Sequence, residues 1–234
     1  ENFVADIRAF QEQGAKGCNI TVPFKQQAWE LADALSHYAA RAKAVNTLEF
    51  REGGVIYGAN TDGLGLLRDL QQNHGLNLQG KRLLLLGAGG AIRGVLQPLL
   101  EAEPASVFIA NRTARKAVEL AVDFAEFGTI RAGGFTDING EFDLIINGTA
   151  ASLQGELPPL PAGCLAAGGC AYDMMYAAKP TAFVQWGMAQ GAALALDGLG
   201  MLVEQAAEAF AIWRGIRPNT SPVFAQLRAE LAAQ

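Results

Sequence analysis

The chain has 234 residues and a formal net charge of −5, from 18 Lys and Arg against 23 Asp and Glu. Half of its residues are hydrophobic and 18% are charged, which excludes an extended disordered chain, and no run of Lys or Arg offers the phosphate-neutralising surface of a nucleic-acid partner. No uninterrupted apolar stretch is long enough to span a bilayer, and the start lacks the basic-then-apolar pattern of a signal peptide. The three cysteines, Cys18, Cys164 and Cys170, form neither a C-x-x-C pair nor a His-linked set, so the reading is a cytoplasmic protein with no metal site and no membrane partner. The 27 glycines in so apolar a chain predict many tight turns or close backbone approaches.

Phe3, Ile7 and Phe10 fall at helical spacing over 2–13, and Gly14 stops the run. GCNITV (17–22) reads as a short strand, and Pro23 opens a helix through about Leu35. After a second short helix, VNTLEF and VIYG are strands joined by Arg51-Glu52-Gly53-Gly54, a hairpin signal. Asn60-Thr61-Asp62-Gly63 caps a helix that runs to about Asn73 and stops at Gly75.

From Lys81 the pattern changes. RLLLLGAGG is a continuous apolar strand ending in glycines, as a parallel strand buried on both faces requires. A helix (91–102), the strand SVFIAN, a helix (113–126), the strand FDLIIN, a Pro-rich loop (157–161), the strand GCAYDMM, a helix (180–190) and the short strand ALAL follow. This alternation predicts an α/β protein with a doubly wound parallel sheet. Leu199, Leu202, Val203, Ala206, Ala207, Phe210 and Trp213 then share one helical face, and a last helix follows Pro218. The expected division is a smaller α/β substrate-binding piece (1–62), a connecting helix (63–80), a Rossmann-type domain (81–197) and C-terminal helices that return to the first piece (198–234), with a cleft between the two domains.

Gly87-Ala88-Gly89-Gly90-Ala91 stands where a buried strand gives way to an amphipathic helix. Glycines there let backbone approach a pyrophosphate, and the helix start supplies unpaired N–H groups and the positive end of its dipole. An NAD-selective fold puts an acid about twenty residues beyond the glycines, whereas the 2′-phosphate of NADP needs positive charge. Here Asn111-Arg112-Thr113 is followed by Arg115 and Lys116 without an acid, which predicts NADP; the structural alternative is a solvated helix start. Asn19, Thr21 and Lys25 in NITVPFK, Asn46-Thr47, and Asn60-Thr61-Asp62 put polar groups at strand ends, as a small polyhydroxylated substrate requires, although each Asn-Thr pair also reads as a turn or cap. The two histidines, His37 and His74, lie beside no motif, and Tyr-x-x-x-Lys, G-x-S-x-G, H-E-x-x-H and a Walker loop are all absent. Lys25 with Asp62 remains as the proton-transfer pair, the carboxylate orienting the ammonium; the alternative is a surface lysine in a first helical turn.

In chain order, G-x-N-I-T-V-P-F-K (17–25), A-V-N-T-L (44–48), N-T-D-G (60–63), G-A-G-G-A (87–91), N-R-T (111–113), Y-D-M-x-Y (172–176) and D-G-L-G-M-L-V-x-Q-A (197–206) together resemble the shikimate dehydrogenase family over nearly the whole chain. The resemblance implies reversible, NADPH-dependent reduction of 3-dehydroshikimate to shikimate, with Lys25 and Asp62 as the catalytic pair. It implies Thr21, Asn46 and Gln205 on the substrate's ring oxygens and Tyr176 near its carboxylate. It also implies Gly87 to Ala91, Asn111, Arg112, Thr113, Lys116, Thr149, Met174 and Gly198 along the cofactor.

Two departures stand out. Asn147-Gly148-Thr149-Ala150 replaces the family's Asn-Ala-Thr-Ser, and the opening strand with a Ser-x-Ser pair, which holds the substrate carboxylate, is missing. The chain is therefore expected to be part of a longer parent. The competing readings are a quinate/shikimate dehydrogenase with relaxed cofactor use and, for this length of chain, a non-catalytic NADP-binding fragment. A monomer and a homodimer are equally compatible with the sequence.

Overall fold

In the computed structural model, which describes residues 2–233, two sheets share the chain. The smaller is built from β1 (Gly17–Asn19), β2 (Ala34–Leu35), β3 (Thr47–Phe50) and β4 (Ile56–Ala59), in the order β1-β3-β4-β2. β3 pairs antiparallel with β1 and β4, and β2 runs parallel to β4. Helices α1 (Phe3–Glu12), α2 (Lys25–Leu31) and α3 (His37–Ala42) cover it around a core of Ile7, Ile20, Ala28, Val45, Leu48 and Ile56.

The strand read over 17–22 ends at Asn19, although Ile20 still donates its N–H to the Asn46 carbonyl at 2.7 Å. Pro23 has no N–H to give to a ladder, and Thr21 to Phe24 form a turn closed by Phe24 N–H to the Thr21 carbonyl at 2.9 Å. The helix expected from Pro23 to Leu35 accordingly runs only over Lys25–Leu31, and Ala34–Leu35 turn back as β2. The turn is what sets Lys25 on the first position of α2.

The larger sheet contains β5 (Arg82–Leu86), β6 (Ser106–Ala110), β7 (Ile130–Gly133), β8 (Phe142–Asn147), β9 (Leu165–Asp173) and β10 (Leu194–Leu196). All are parallel, in the order β10-β9-β8-β5-β6-β7. This is the doubly wound Rossmann order, whose topological switch point lies beside the first strand of the sheet, here β5. Side chains of β5 alternate between two cores: Leu83 and Leu85 face α5 (Gly90–Glu101) and α6 (Ala114–Asp123), while Leu84 and Leu86 face α7 (Ala182–Ala189) through Phe183. Burial on both faces explains the uninterrupted leucine run. β7 is absent from the sequence reading because Ile130-Arg131-Ala132-Gly133 is short and half-exposed at the sheet edge and carries little apolar signal.

One helical run joins the sheets. α4 (Asp62–Arg68) follows β4 directly and continues as a π-helical turn over Asp69–Asn73 before Gly75 ends it with φ +65°. The long helix α8 (Leu199–Arg214) lies along α4, and Trp213 at its far end donates to the Leu48 carbonyl of β3 at 2.9 Å, so α8 reaches from one sheet to the other. α9 (Ser221–Ala232) is tied back by Arg228, paired with Asp197 at 2.6 Å. On the opposite side, Tyr38 of α3 donates to Glu101 of α5 at 2.7 Å.

α4 and α8 approach closely because position 65 has no side chain: a Cβ on Gly65 would stand 2.6 Å from the Gln205 backbone nitrogen and 2.8 Å from its Cα. Backbone cannot yield as a flexible side-chain end does, so Gly65→Ala must push the helices apart. Overpacking of this kind costs about 1–3 kcal/mol. For a chain of this length that lowers Tm by about 2–4 °C per kcal/mol, which thermal unfolding followed by circular dichroism checks.

Candidate active site

The turn after β1, the end of α8 nearest the cleft and the start of α4 close on a cavity of about 420 Å³. Its walls are Asn19, Ile20, Thr21, Lys25, Asn46 and Asp62 from the smaller sheet's side, and Met174, Tyr176, Gly198, Met201, Leu202 and Gln205 from the other. Lys25 Nζ donates to Asp62 Oδ2 at 2.7 Å, with 21% of the lysine side chain and 9% of the aspartate side chain exposed. So little solvent screens the pair weakly and leaves it one open side, toward the cavity.

Asp62 is held from behind. Its other oxygen, Oδ1, accepts from Asn46 Nδ2 at 2.8 Å, and its backbone N–H donates to Asn60 Oδ1 at 3.1 Å. The same Asn46 nitrogen lies 2.8 Å from Thr61 Oγ1 and 3.2 Å from Gln205 Oε1. Asn46 Oδ1 in turn accepts from the Thr61 N–H at 3.0 Å and from Thr47 Oγ1 at 2.9 Å. The strand-end amides and hydroxyls thus form one connected network around the ion pair, with Thr21 on the cavity wall beside it.

The residues read as cofactor-binding lie at the carboxyl ends of the parallel strands, where open α/β sheets bind ligands. Gly87 to Ala91 join β5 to α5; Gly87 takes φ +106°, where an L side chain is strained, and a Cβ on Gly89 or Gly90 would meet nothing within 4 Å. Open space stands over a helix start whose first N–H groups have no helical partner. Asn111, Arg112 and Thr113 follow β6, with Asn111 Nδ2 donating to the Thr113 carbonyl at 3.0 Å. Among the described residues Arg112 and Lys116 form no ion pair and both are exposed, whereas Arg115 lies 3.5 Å from Glu119. Two free cations beside an open glycine turn fit a dinucleotide with an added phosphate.

Thr149 follows β8, Met174 and Tyr176 follow β9, and Gly198 precedes α8. Asn147, buried at the end of β8, accepts from the Thr149 hydroxyl at 2.7 Å and donates to Asp173 Oδ1 at 3.1 Å. Asp173 Oδ2 accepts from Thr181 at 2.6 Å, so a buried carboxylate braces both loops. The structure brings Lys25, Asp62, Thr21, Asn46, Tyr176 and Gln205 to one cavity, together with Met174 and Gly198. The glycine turn, Asn111 to Thr113, Lys116 and Thr149 lie outside that cavity, along the same edge of the larger sheet. Met201 and Leu202 also line the cavity and are not among the residues that the sequence marks; their signal is position, one helical turn before Gln205 on the face of α8 that meets the cavity.

A doubly wound sheet with a glycine turn at its switch point, exposed cations after the second strand and an acid–base pair facing a cleft is the arrangement of a nicotinamide-nucleotide-dependent oxidoreductase. Three family models match: the shikimate dehydrogenase substrate binding domain over residues 1–48, shikimate / quinate 5-dehydrogenase over 69–154, and the shikimate 5′-dehydrogenase C-terminal domain over 198–228. The NADP(+) shikimate dehydrogenase of Nitrosococcus oceani is 57% identical over 226 residues, 96% of this chain and 80% of that protein. Among solved structures, the Ael1 enzyme of Pseudomonas putida aligns with a TM-score of 0.89 and 47% identity over 97% of this chain and 83% of its own. Shikimate 5-dehydrogenase of Thermus thermophilus, in complex with NADP(H) and shikimate, aligns with a TM-score of 0.83 and 33% identity over 97% and 83%. The chain belongs to the shikimate dehydrogenase family.

Removing the Asn46 amide strips the shared donor from Thr61, Asp62 and Gln205 at once. Asn46→Ala is expected to lower stability by about 1–3 kcal/mol, the cost of leaving partly buried acceptors without a partner. A urea unfolding curve with unchanged slope and a lower midpoint is the expected result.

Proposed function

We propose that this chain catalyses the NADP-dependent, reversible reduction of 3-dehydroshikimate to shikimate on the route to chorismate and the aromatic amino acids. The observation that carries the reading is the Lys25–Asp62 pair, 2.7 Å apart and facing a cavity lined by polar groups on the smaller sheet's side and largely by apolar ones on the other, beside the cofactor edge of the larger sheet. The NADP(+)-dependent relatives and the neighbour bound to NADP(H) and shikimate support it.

Gly87, Ala88, Gly89, Gly90 and Ala91 would hold the pyrophosphate of NADP at the start of α5, and Asn111, Arg112, Thr113 and Lys116 would take the ribose and its 2′-phosphate. Thr149, Met174 and Gly198 would border the nicotinamide. NADPH, when bound, supplies the hydride for the carbonyl carbon, and NADP+ accepts it in the reverse direction. Thr21, Asn46, Tyr176 and Gln205 orient the substrate by its oxygens, so that the reacting oxygen lies at Lys25 Nζ. In the reductive direction the carbonyl oxygen gathers negative charge as hydride arrives, and the Lys25 ammonium stabilises it and gives it a proton. Asp62 holds the ammonium in place and keeps its charge balanced; in the oxidative direction the hydroxyl proton leaves by the same pair. The reading includes a cytoplasmic enzyme, monomeric or homodimeric, and the unbridged thiols Cys18, Cys164 and Cys170 support a reducing compartment.

The deciding assay follows reduced-nicotinamide absorbance with shikimate or quinate and with NADP+ or NAD+. Turnover of shikimate with NADP+ well above the other three combinations is expected, and a chain that binds NADP+ but turns over neither substrate overturns the reading. In the same assay Lys25→Ala should lower kcat by about 10²–10⁴-fold, the range for loss of a proton-transfer group, with a far smaller change in shikimate KM. An unchanged kcat removes Lys25 from the chemistry.

A further inference from the structure

The apolar core around α4, α5 and the larger sheet contains one carboxylate that none of the steps above uses. Asp69, the first residue of the π-helical turn that ends α4, has no solvent exposure. A buried carboxylate is costly unless its oxygens are satisfied, and here both are. Tyr172 on β9 donates its hydroxyl to Oδ2 at 2.7 Å, and Asn73 Nδ2 donates to Oδ1 at 2.8 Å, with His74 Nε2 at 3.6 Å from the same oxygen. Tyr172 is itself fully buried; burial first, and then the Asp69 charge, holds its hydroxyl well above the ordinary tyrosine range, so it stays a donor. The third wall of the carboxylate's pocket is α8, which meets it at Gly200, where any Cβ would collide with the carboxylate oxygens.

Each of these three segments leads to the active site. Asp69 lies two turns along the helical run from Asp62. Tyr172 precedes Met174 and Tyr176 on the strand that ends at the cavity, and Gly200 lies between Gly198 and Gln205. The packing around them, Leu66, Leu70, Met201, Leu144 and Ile146, is apolar and therefore non-directional, so it tolerates small slides of α4 along the larger sheet. A hydrogen bond does not, because its energy falls steeply with distance and angle.

We propose that the Asp69 carboxylate and the Tyr172 hydroxyl act as a positioning pair that fixes α4, and with it Asp62, relative to the cofactor edge of the larger sheet. Neither group lines the cavity. The pair sets the separation between the Lys25–Asp62 dyad on one side of the cleft and Met174 on the other, and so the space within which substrate and nicotinamide would be held against each other for hydride transfer. This inference rests on the dehydrogenase reading given above.

The test compares wild type with Tyr172→Phe, Asp69→Asn and Asp69→Leu. The readouts are kcat and KM, the primary deuterium isotope effect with shikimate deuterated at the carbon that is oxidised, NADP+ affinity by calorimetry, and Tm. Tyr172→Phe removes a single oxygen. It is expected to fold, to keep NADP+ affinity and shikimate KM within about threefold, and to lose about 10- to 100-fold in kcat as the reacting groups shift out of register. The isotope effect on kcat should rise as the hydride step becomes slower than product release. Asp69→Asn keeps an oxygen able to accept from Tyr172 and should lose less than Asp69→Leu.

A lower Tm with unchanged kcat per folded enzyme and an unchanged isotope effect would make the pair merely structural and overturn the proposal. Should wild type turn over no shikimate, the dehydrogenase reading fails, and amide exchange judges the pair by itself. Faster exchange in Tyr172→Phe confined to 69–73 and 198–202 supports positioning, and unchanged exchange there overturns it.

Discussion

The side-chain nitrogen of Asn46 shares its hydrogens among Thr61, Asp62 and Gln205, and through it three segments far apart in the chain are held at one point. The residue before β3 is the asparagine, the turn from β4 into α4 brings the threonine and aspartate, and α8 brings the glutamine. With these acceptors fixed, Asp62 can offer only one oxygen outward, and Lys25 takes it. The geometry of the catalytic pair is thus a consequence of how the smaller sheet, α4 and α8 converge, and the near-contact of α4 and α8 at Gly65 is what lets Gln205 reach the network.

The same logic of buried polar groups repeats around the cleft. Asn147 and Asp173 brace the loops that end β8 and β9. Asp69 and Tyr172 tie α4 to β9 beneath them. Each is a directional contact inside packing that is otherwise non-directional. Such contacts contribute modestly to net stability, since each replaces bonds to water, but they select one arrangement among several of similar packing energy. A reaction that moves hydride across a gap between two sheets depends on that selection more than on stability itself.

The parallel sheet was legible because burial on both faces leaves runs such as Leu83 to Leu86 and Ile145-Ile146 with no polar interruption, and because Gly87 to Gly90 punctuate the strand end. β7 was not, since an edge strand that ends in glycine and is half exposed has neither an apolar run nor alternation to show. β2 reads from sequence as the tail of a helix because two residues are too few to carry a period. At the site, Lys25 and Asp62 emerged by elimination among titratable groups. The contact of Asn46 with Gln205 could not, because nothing local in either segment encodes a partner so distant in sequence. Family resemblance supplied Gln205, Tyr176 and Met174, whereas Asp69 was invisible as a functional group: on a helical run, one aspartate among polar neighbours reads as a solvated face until the fold buries it.

The central claim is that the reacting oxygen of shikimate sits at Lys25 Nζ, with Asp62 behind it and the nicotinamide across the cleft. A crystal structure of the chain with shikimate and NADPH, a non-reacting combination, tests this directly. The ring hydroxyl that is oxidised is expected within hydrogen-bond distance of Lys25 Nζ, its carbon facing the nicotinamide beside Met174 and Gly198. Shikimate bound with that hydroxyl turned away from Lys25, or with the nicotinamide elsewhere than at the ends of β8 and β9, would contradict it.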